Sequence, residues 1–264
     1  MAKKSSTVIA AQLYTLRDFC KTPAEFAKTL KVVKKIGYDH AQISGICPMD
    51  PAETRKIMLD AGVEPIGAHI GIEEFRTAEK GVIAKCQGWG VKYVAIPWLA
   101  RENQKNLADW KKLFKEFDGY AKRFQKEGIV VQYHNHMFEF EKFGIKNGTG
   151  GKTILDMLYE NTEFLQAELD FGWVVRGGNC PVAWAKKLKG RLDQVHFKDW
   201  GIIGDKPEWR EIGEGGIDWV SVYKACKASG TTDFIIEQDG CPVTGCPFRS
   251  LAISRKNLKA LGIG

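Results

Sequence analysis

Two histidines and a glutamate follow an apolar run near the middle of the chain. The run 128–131 (GIVV) leads into His134 and His136, and Glu139 comes three residues later. Residues two apart on a strand point the same way, so both imidazoles are expected on one face near the C-terminal end of a strand. Burying two imidazoles and a carboxylate is costly unless each has a partner. The pattern therefore favours a divalent metal ion or a bound substrate as that partner.

Polar side chains also stand at the C-terminal ends of four other predicted strands. They are His69 in the third strand, Glu168 and Asp170 in the sixth, His196, Lys198 and Asp199 in the seventh, and Glu237 and Asp239 in the eighth. Two carboxylates and two imidazoles suit a hard or borderline divalent ion such as Mn²⁺, Co²⁺, Mg²⁺ or Zn²⁺. We therefore predict one divalent ion with the ligands His134, Asp170, His196 and Glu237.

The spacing leaves one alternative open, in which Glu139 replaces His134 as the ligand from the fifth strand. Glu168, Asp199 and Asp239 are near enough in sequence to accept a hydrogen bond from a ligating imidazole. A lone histidine in a strand is more often a core residue than a ligand. The metal hypothesis therefore depends on the whole set of strand ends, since barrel sites draw residues from several strands.

The other polar and aromatic residues at strand ends are candidates for acid–base or substrate-binding roles. The candidate catalytic residues are His136, Glu139 and Glu237. The candidate substrate-binding residues are His69, Tyr14, Trp98, Trp173 and Lys198. Aromatic rings at such positions are typical of the apolar wall of a sugar site, although core filling explains them equally well. An ion pair with Asp199 would explain the presence of Lys198 at this strand end equally well.

Short apolar runs alternate with amphipathic segments about eight times, which predicts a parallel sheet covered by helices. The predicted strands are 7–14, 38–44, 64–70, 92–98, 129–136, 165–171, 192–198 and 233–238. The predicted helices are 23–36, 50–61, 73–88, 106–127, 151–160, 181–190, 218–229 and 246–261. This order predicts an α/β fold, a single (β/α)₈ TIM barrel domain over residues 1–264. An open doubly wound sheet is the alternative, but it would be expected to carry a GxGxxG turn, which is absent.

Composition limits the classes of partner and compartment. The net charge of +7 is spread over lysines at helical spacing without a block of like charges, so no nucleic-acid partner is expected. The seven cysteines form no CxxC pair, which indicates reduced thiols and a cytoplasmic protein. The short apolar run after residue 4 predicts a first strand rather than an export signal. No apolar stretch reaches ~18 residues, so no membrane span is expected.

Five segments taken together resemble the xylose isomerase-like TIM barrels, a group of sugar phosphate isomerases/epimerases that also holds endonuclease IV. The segments are 12–18 (QLYTLRD), 133–136 (YHNH) with Glu139-Phe140, 168–170 (ELD), 195–199 (VHFKD) and 236–239 (IEQD). The resemblance covers nearly the whole chain, and its specificity comes from the set, since each segment alone is weak.

The resemblance implies one divalent metal held by Glu, Asp, His and Glu from the fifth to the eighth strand. The last three correspond to Asp170, His196 and Glu237, whereas His134 stands where the family has its first Glu. This departure is typical of a branch known only generically as isomerase/epimerase. It leaves the exact reaction undetermined, whereas the expectation of a bound metal is affected less.

The implied activity is a metal-dependent isomerase or epimerase that acts on a small sugar or polyol-derived carbonyl compound through an enediolate. Some relatives are dehydratases, lyases or hydrolases acting on inososes or 3-keto-glycosides, which is the alternative activity. A non-catalytic sugar-binding barrel is a second alternative. Endonuclease IV is disfavoured because its three zinc ions need more histidines than the five present, and because Trp173 stands where its sixth-strand motif has histidine. A homo-oligomer is possible, but no pattern marks an interface.

Overall fold

Eight parallel strands close into a barrel. The computed structural model describes residues 7–100, 106–146 and 149–264. Its strands, in chain order, are β1 (Val8–Gln12), β2 (His40–Ile43), β3 (Glu64–His69), β4 (Tyr93–Ile96), β5 (Val130–His134), β6 (Lys142–Lys146), β7 (Thr149–Thr153), β8 (Gln166–Asp170), β9 (Gln194–Phe197), β10 (Asp199–Ile203), β11 (Lys206–Arg210) and β12 (Asp233–Ile236). The order around the ring is β1-β12-β9-β8-β5-β4-β3-β2. The predicted single (β/α)₈ TIM barrel is therefore confirmed.

Helices cover the outside of the barrel. They are α1 (Pro23–Ile36), α2 (Pro51–Asp60), α3 (Ile72–Trp89), α4 (Leu107–Gln125), α5 (Ile154–Glu160), α6 (Phe171–Arg176), α7 (Pro181–Lys187), α8 (Trp219–Ser229) and α9 (Pro247–Ala260). Thr22 caps α1 by accepting a hydrogen bond from the Glu25 backbone, and Gly37 ends it at φ 107°, a value that glycine adopts with little strain. The predicted helix 23–36 therefore coincides with α1. None of the described helices is both long and apolar enough to cross a membrane.

Buried amides, rather than apolar side chains alone, fill part of the barrel interior. Gln12, Gln42, Gln132 and Gln194 are all fully buried. Gln12 Nε2 donates to Gln42 Oε1 at 2.5 Å, and Gln194 Nε2 donates to Asp233 Oδ2 at 2.9 Å. Buried polar groups are tolerated when they bond one another. The strands therefore carry a polar interior up to the mouth of the barrel.

Two hairpins that the sequence patterns did not predict follow β5 and β9. β6 pairs antiparallel with β7, and β10 with β11. The prediction of a helix over 151–160 is wrong at its start, because Thr153 still belongs to β7 and caps α5 from there. Hairpins depend on cross-strand contacts, which the periodicity of a single short segment does not reveal.

Several barrel strands are shorter than predicted at the candidate site. β5 ends at His134, β4 at Ile96 and β12 at Ile236. His136 therefore lies in the loop after β5, and the expectation that it shares one strand face with His134 is wrong. The loop nevertheless folds back, so that the two imidazole rings lie edge to face with their centroids 5.3 Å apart.

Asp199 anchors the long loop after β9. Its buried carboxylate accepts hydrogen bonds from the backbone N–H groups of Trp200, Gly213 and Gly215 at 2.8, 2.9 and 3.2 Å, and from Trp219 Nε1 at 2.7 Å. One side chain thus fixes both ends of the segment that carries the β10–β11 hairpin. Leaving these donors buried and unpaired would cost free energy.

We expect Asp199→Ala to lower the free energy of unfolding by roughly 2–4 kcal/mol, because several buried donors lose their acceptor. Urea unfolding followed by circular dichroism measures this change. Asp218→Ala is the control, since Asp218 is exposed and only caps α8. An equal loss in both variants would contradict the anchoring role of Asp199.

Candidate active site

Consecutive barrel strands bring the four predicted metal ligands together. His134 ends β5, Asp170 ends β8, His196 lies in β9 and Glu237 follows β12. Each residue offers one ligand atom, and these atoms lie within 4.8 Å of one another; all four residues are buried. The four strands are neighbours around the ring, so their carboxyl ends meet on one side of the barrel mouth.

The two oxygens of Asp170 have different surroundings. Oδ1 accepts a hydrogen bond from the Trp173 backbone N–H at 2.9 Å and so caps α6. Oδ2 accepts no hydrogen bond from the described residues. Lys198 Nζ lies 3.1 Å from it and His134 Nε2 lies 3.9 Å from it. Burial raises the pKa of Asp170 to about 6, against the opposing effect of Lys198. An oxygen of this kind, facing an imidazole nitrogen, fits a shared cation.

Glu168 is an acceptor shared by three histidines. It is fully buried, and its Oε2 lies 2.6 Å from His69 Nε2, 3.2 Å from His134 Nδ1 and 3.3 Å from His196 Nε2. Gln42 Nε2 donates to the other carboxylate oxygen. Burial raises the pKa of Glu168, but the neighbouring His196 and His69 outweigh burial and hold it well below its usual value. An ionised Glu168 can fix the orientation of all three rings.

The opposite nitrogens of two of these rings face the remaining candidate ligands. His196 Nδ1 lies 2.9 Å from Glu237 Oε2, while His134 Nε2 points toward Asp170. Burial lowers the pKa of His196, but Glu168 and Glu237 raise it to about 10, whereas burial lowers the pKa of His134 to about 3. These shifts favour the charged form of His196 and the neutral form of His134.

Lys198 is a buried cation surrounded by three carboxylates. Its Nζ lies 2.8 Å from Glu237 Oε2, 2.9 Å from Asp239 Oδ2 and 3.1 Å from Asp170 Oδ2. Burial lowers the pKa of Lys198, but the carboxylates reverse this effect and raise it above its usual value. Burial likewise raises the pKa of Glu237, yet the Lys198 ammonium holds it well below its usual range. The ion-pair partners of Lys198 are these three acids, and Asp199 is not among them.

A cavity of about 370 Å³ opens above this cluster. It is lined by Tyr14, Ser44, His69, Pro97, Trp98, His134, His136, Lys198, Glu237 and Asp239. Tyr14 is 39% exposed and Trp98 is 55% exposed, so two aromatic rings remain accessible at the opening. A cavity of this size with a few convergent polar groups suits a small molecule. Four of the five candidate substrate-binding residues line it; Trp173 is the exception.

Trp173 lies behind His136 rather than on the cavity wall. The centroids of these two rings are 5.0 Å apart, and Trp173 packs edge to face against Trp209 at 4.8 Å. His136 Nδ1 has no hydrogen-bond partner within the described part of the chain. Burial, reinforced by His134 and Lys198, holds the pKa of His136 well below its usual value. The site therefore contains a neutral imidazole that faces the cavity.

Glu139 is buried away from the cavity lining. Its carboxylate accepts hydrogen bonds from the Tyr133 hydroxyl at 2.6 Å and from the His136 backbone N–H at 2.9 Å. Glu139 is absent from both groups of described residues whose spacing suits a metal ion, which are the four predicted ligands and a second set formed by His69, His134, Glu168 and His196. The geometry therefore favours His134 over Glu139 as the ligand from β5. It also gives Glu139 the role of holding the loop that carries His136.

Sequence reasoning missed the uncharged members of the site. Gln42 bonds His196 and Glu168, while Ser44 and Pro97 line the cavity. Gln42 stands in β2 just before Ser44, so a search for all polar residues at strand ends would have found both. Trp209 belongs to β11, and no local signal connects that hairpin with the barrel mouth.

The raised pKa of Glu139 predicts how the stability of the protein depends on pH. Burial raises its pKa from 4.5 in an exposed chain to about 7 in the folded protein. The folded protein thus holds this proton more tightly than the unfolded chain does. The protonated carboxyl therefore adds to the free energy of unfolding below pH about 4.5, and this contribution is lost as the pH rises to about 7. We expect Glu139→Gln, which mimics the protonated acid, to remove on the order of 2–3 kcal/mol of this pH dependence. Urea unfolding from pH 4.5 to 7.5 with a chelator measures it. Exposed Glu141→Gln is the control and should retain the wild-type slope.

Comparisons with known proteins agree on the fold. No protein-family model matches the chain. A solved sugar phosphate isomerase/epimerase from Parabacteroides distasonis is 23% identical, with a TM-score of 0.78 over 98% of this chain and 96% of that one. A xylose isomerase-like TIM barrel protein from Mycobacterium smegmatis, solved in complex with magnesium, is 14% identical, with a TM-score of 0.68 over 99% of this chain and 98% of that one.

One curated relative matches part of the chain. Inosose dehydratase from Lacticaseibacillus casei is 26% identical over 174 residues, which are 58% of this chain and 54% of the relative. The chain thus matches only about half the length of this relative. The similarities together confirm the resemblance at the level of fold: the chain has the xylose isomerase-like TIM barrel fold.

Proposed function

We propose that the protein is a divalent-metal-dependent enzyme that isomerises or epimerises a sugar or polyol-derived carbonyl compound through an enediolate. The observation that carries this proposal is the convergence of His134, Asp170, His196 and Glu237 at the mouth of the barrel. Two imidazoles and two carboxylates offer donors for Mn²⁺, Co²⁺, Mg²⁺ or Zn²⁺. The magnesium complex of the M. smegmatis protein, which shares the fold, supports a metal here.

The residues present fit such an ion on two further grounds. Asp170 Oδ2 is buried without a hydrogen bond from the described residues, although it lies beside a ligand candidate. Glu168 contacts one nitrogen of His134 and one of His196, which leaves the other nitrogen of each ring for a metal. A ligating imidazole must be neutral, so His196 would release its proton when the ion binds.

The side chains around the cavity can bind and deprotonate a polyhydroxylated substrate. A bound divalent ion would polarise the substrate carbonyl and stabilise the negative charge of the enediolate. His136 lines the cavity, and its buried Nδ1 has no hydrogen-bond partner among the described residues, so this side chain is the candidate base that removes the proton from the carbon next to the carbonyl. Lys198 and His69 lie along the same cavity and can donate hydrogen bonds to substrate oxygens. Proton return to the neighbouring carbon gives isomerisation, and return to the opposite face gives epimerisation.

Dehydration is a second candidate reaction, favoured by the similarity to inosose dehydratase. The same enediolate loses a hydroxyl group from the next carbon if an acid protonates that group as it leaves. Lys198 lines the cavity, and its ammonium group can donate a hydrogen bond to the leaving hydroxyl. Product analysis of a single inosose separates the two reactions, since dehydration removes water and isomerisation conserves mass.

We expect His196→Ala to lose the metal and, with it, exchange of the substrate α-proton. The substitution removes one candidate ligand, and the same side chain is the buried partner of Glu168 and Glu237. Metal analysis of the purified protein and deuterium wash-in from D₂O, using Mn²⁺ with a panel of ketoses and inososes, measure both losses. His40→Ala is the control, since His40 lies at the opposite end of the barrel in β2. Full metal content in His196→Ala would contradict the ligand assignment.

Wild-type protein without metal would favour a sugar-binding barrel, and three ions per chain would favour a DNA-repair enzyme.

Glu168→Gln tests whether the shared carboxylate orients the ligating rings. The amide carries no charge, and its NH₂ group would face either the three imidazoles or the Gln42 Nε2 donor, so we expect the affinity for Mn²⁺ to fall about 10–100-fold. Isothermal titration calorimetry measures the dissociation constant, and exposed Glu163→Gln is the matched control. An unchanged dissociation constant would show that Glu168 does not orient the ligands.

A further inference from the structure

Two overlapping groups of possible metal ligands lie at the mouth of the barrel. The first set comprises the four ligands of the proposed function, and the second set comprises His69, His134, Glu168 and His196. In each set, the ligand atoms lie within 4.8 Å of one another. The two sets share His134 and His196. Two carboxylates complete the first set, whereas one carboxylate and one imidazole complete the second.

The two shared histidines turn opposite nitrogens toward the two sets. His134 Nδ1 lies 3.2 Å from Glu168 Oε2, and its Nε2 lies 3.9 Å from Asp170 Oδ2. His196 Nε2 lies 3.3 Å from Glu168 Oε2, and its Nδ1 lies 2.9 Å from Glu237 Oε2. A neutral imidazole has one N–H and one lone pair, so each ring can ligate an ion in only one set at a time. Its other nitrogen then faces the carboxylates of the opposite set.

The second set has nearly the spacing of ligands around a small ion. Two ligands of a tetrahedral zinc ion are about 3.3 Å apart when each bond is about 2.0–2.1 Å long. The distances of 3.2 and 3.3 Å from Glu168 Oε2 to the two shared rings match this value. His69 Nε2 is closer, at 2.6 Å, so His69 has to retreat by about 0.7 Å when an ion replaces this contact. His69 borders two cavities, which leave space for that movement.

The two sets also differ in the cations that already contact their carboxylates. Lys198 Nζ lies 2.8 Å from Glu237 Oε2 and 3.1 Å from Asp170 Oδ2. An ion that enters the first set therefore shares both carboxylates with an ammonium group. The ion-pair partners of Glu168 in the described part of the chain are its three histidines. No lysine or arginine among these described residues therefore competes with an ion in the second set.

The donor atoms separate the ions that the two sets prefer. Imidazole nitrogen suits Zn²⁺, whereas carboxylate and water oxygens suit Mn²⁺ and Mg²⁺. Three imidazoles and one carboxylate in the second set therefore favour zinc over manganese. We propose that the second set is a zinc site, and that zinc bound there excludes Mn²⁺ from the first set. The inference takes the first set as the Mn²⁺ position from the proposed function and adds an inhibitory ion position that the proposed reaction does not use.

One substitution in each set separates the two ion positions. His69→Gln removes an imidazole from the second set but keeps an amide N–H that can donate to Glu168. Asp170→Asn removes a charge from the first set but keeps an acceptor for the Trp173 backbone N–H. Zn²⁺ binds most sites of nitrogen and oxygen ligands more tightly than Mn²⁺, so the affinity of one ion alone does not identify its position. Isothermal titration calorimetry therefore measures the dissociation constants of both ions for the wild type and both variants.

We expect the ratio of the zinc to the manganese dissociation constant to shift in opposite directions in the two variants. It should rise at least about tenfold in His69→Gln, which lacks a ligand of the second set only, and fall at least about tenfold in Asp170→Asn, which lacks a ligand of the first set only. Metal analysis of the wild type with both ions in excess should find one ion per chain. If His69→Gln does not fold, His69→Asn replaces it with the same expectation.

Three outcomes would overturn the inference. They are a ratio that does not shift in opposite directions in the two variants, no zinc binding by the wild type, or two ions per chain when both ions are in excess. A zinc affinity that depends on Asp170 and not on His69 rejects only the second position and leaves the proposed function intact. Wild-type protein that binds zinc through His69 but shows no α-deuterium exchange with Mn²⁺ rejects the proposed reaction and leaves the zinc site intact.

Discussion

The polar groups at the barrel mouth depend on one buried carboxylate, Glu168. Its contacts with His69, His134 and His196 compensate for its own desolvation and set the direction of each ring. Without this acceptor, His69 and His134 would each lose a hydrogen-bond partner, whereas His196 would keep Glu237 and Gln42. Gln42 extends the network into the barrel interior, so the orientation of the rings is tied to the strands themselves.

Charge balance follows from that arrangement. Glu168 and Glu237 are held in their ionised forms, and the cations that hold them are His196 and Lys198. The cluster also contains acceptors that a divalent ion would use once His196 loses its proton. Lys198 is shared among three acids and remains at the cavity wall, where it can contact a substrate.

The barrel gathers the candidate metal ligands on one side of its opening. Strands β5, β8, β9 and β12, which are neighbours in the ring, position these four residues. A parallel barrel makes this possible because all its carboxyl ends meet at one face. The hairpin anchored by Asp199 adds Trp209 behind the site, where it supports Trp173 and, through it, His136.

The sequence by itself determined the eightfold alternation of strands and helices, because periodicity and the caps at Thr22 and Gly37 are local properties. It also determined that His69, His134, Asp170, His196 and Glu237 stand at strand ends, since residue order fixes these positions. Only the tertiary structure decided which groups meet. It turned Glu139 toward Tyr133, gave Lys198 three acidic partners other than Asp199, and placed Gln42 beneath His196. These contacts join residues far apart in sequence, and their geometry depends on the closure of the sheet, which no local pattern encodes.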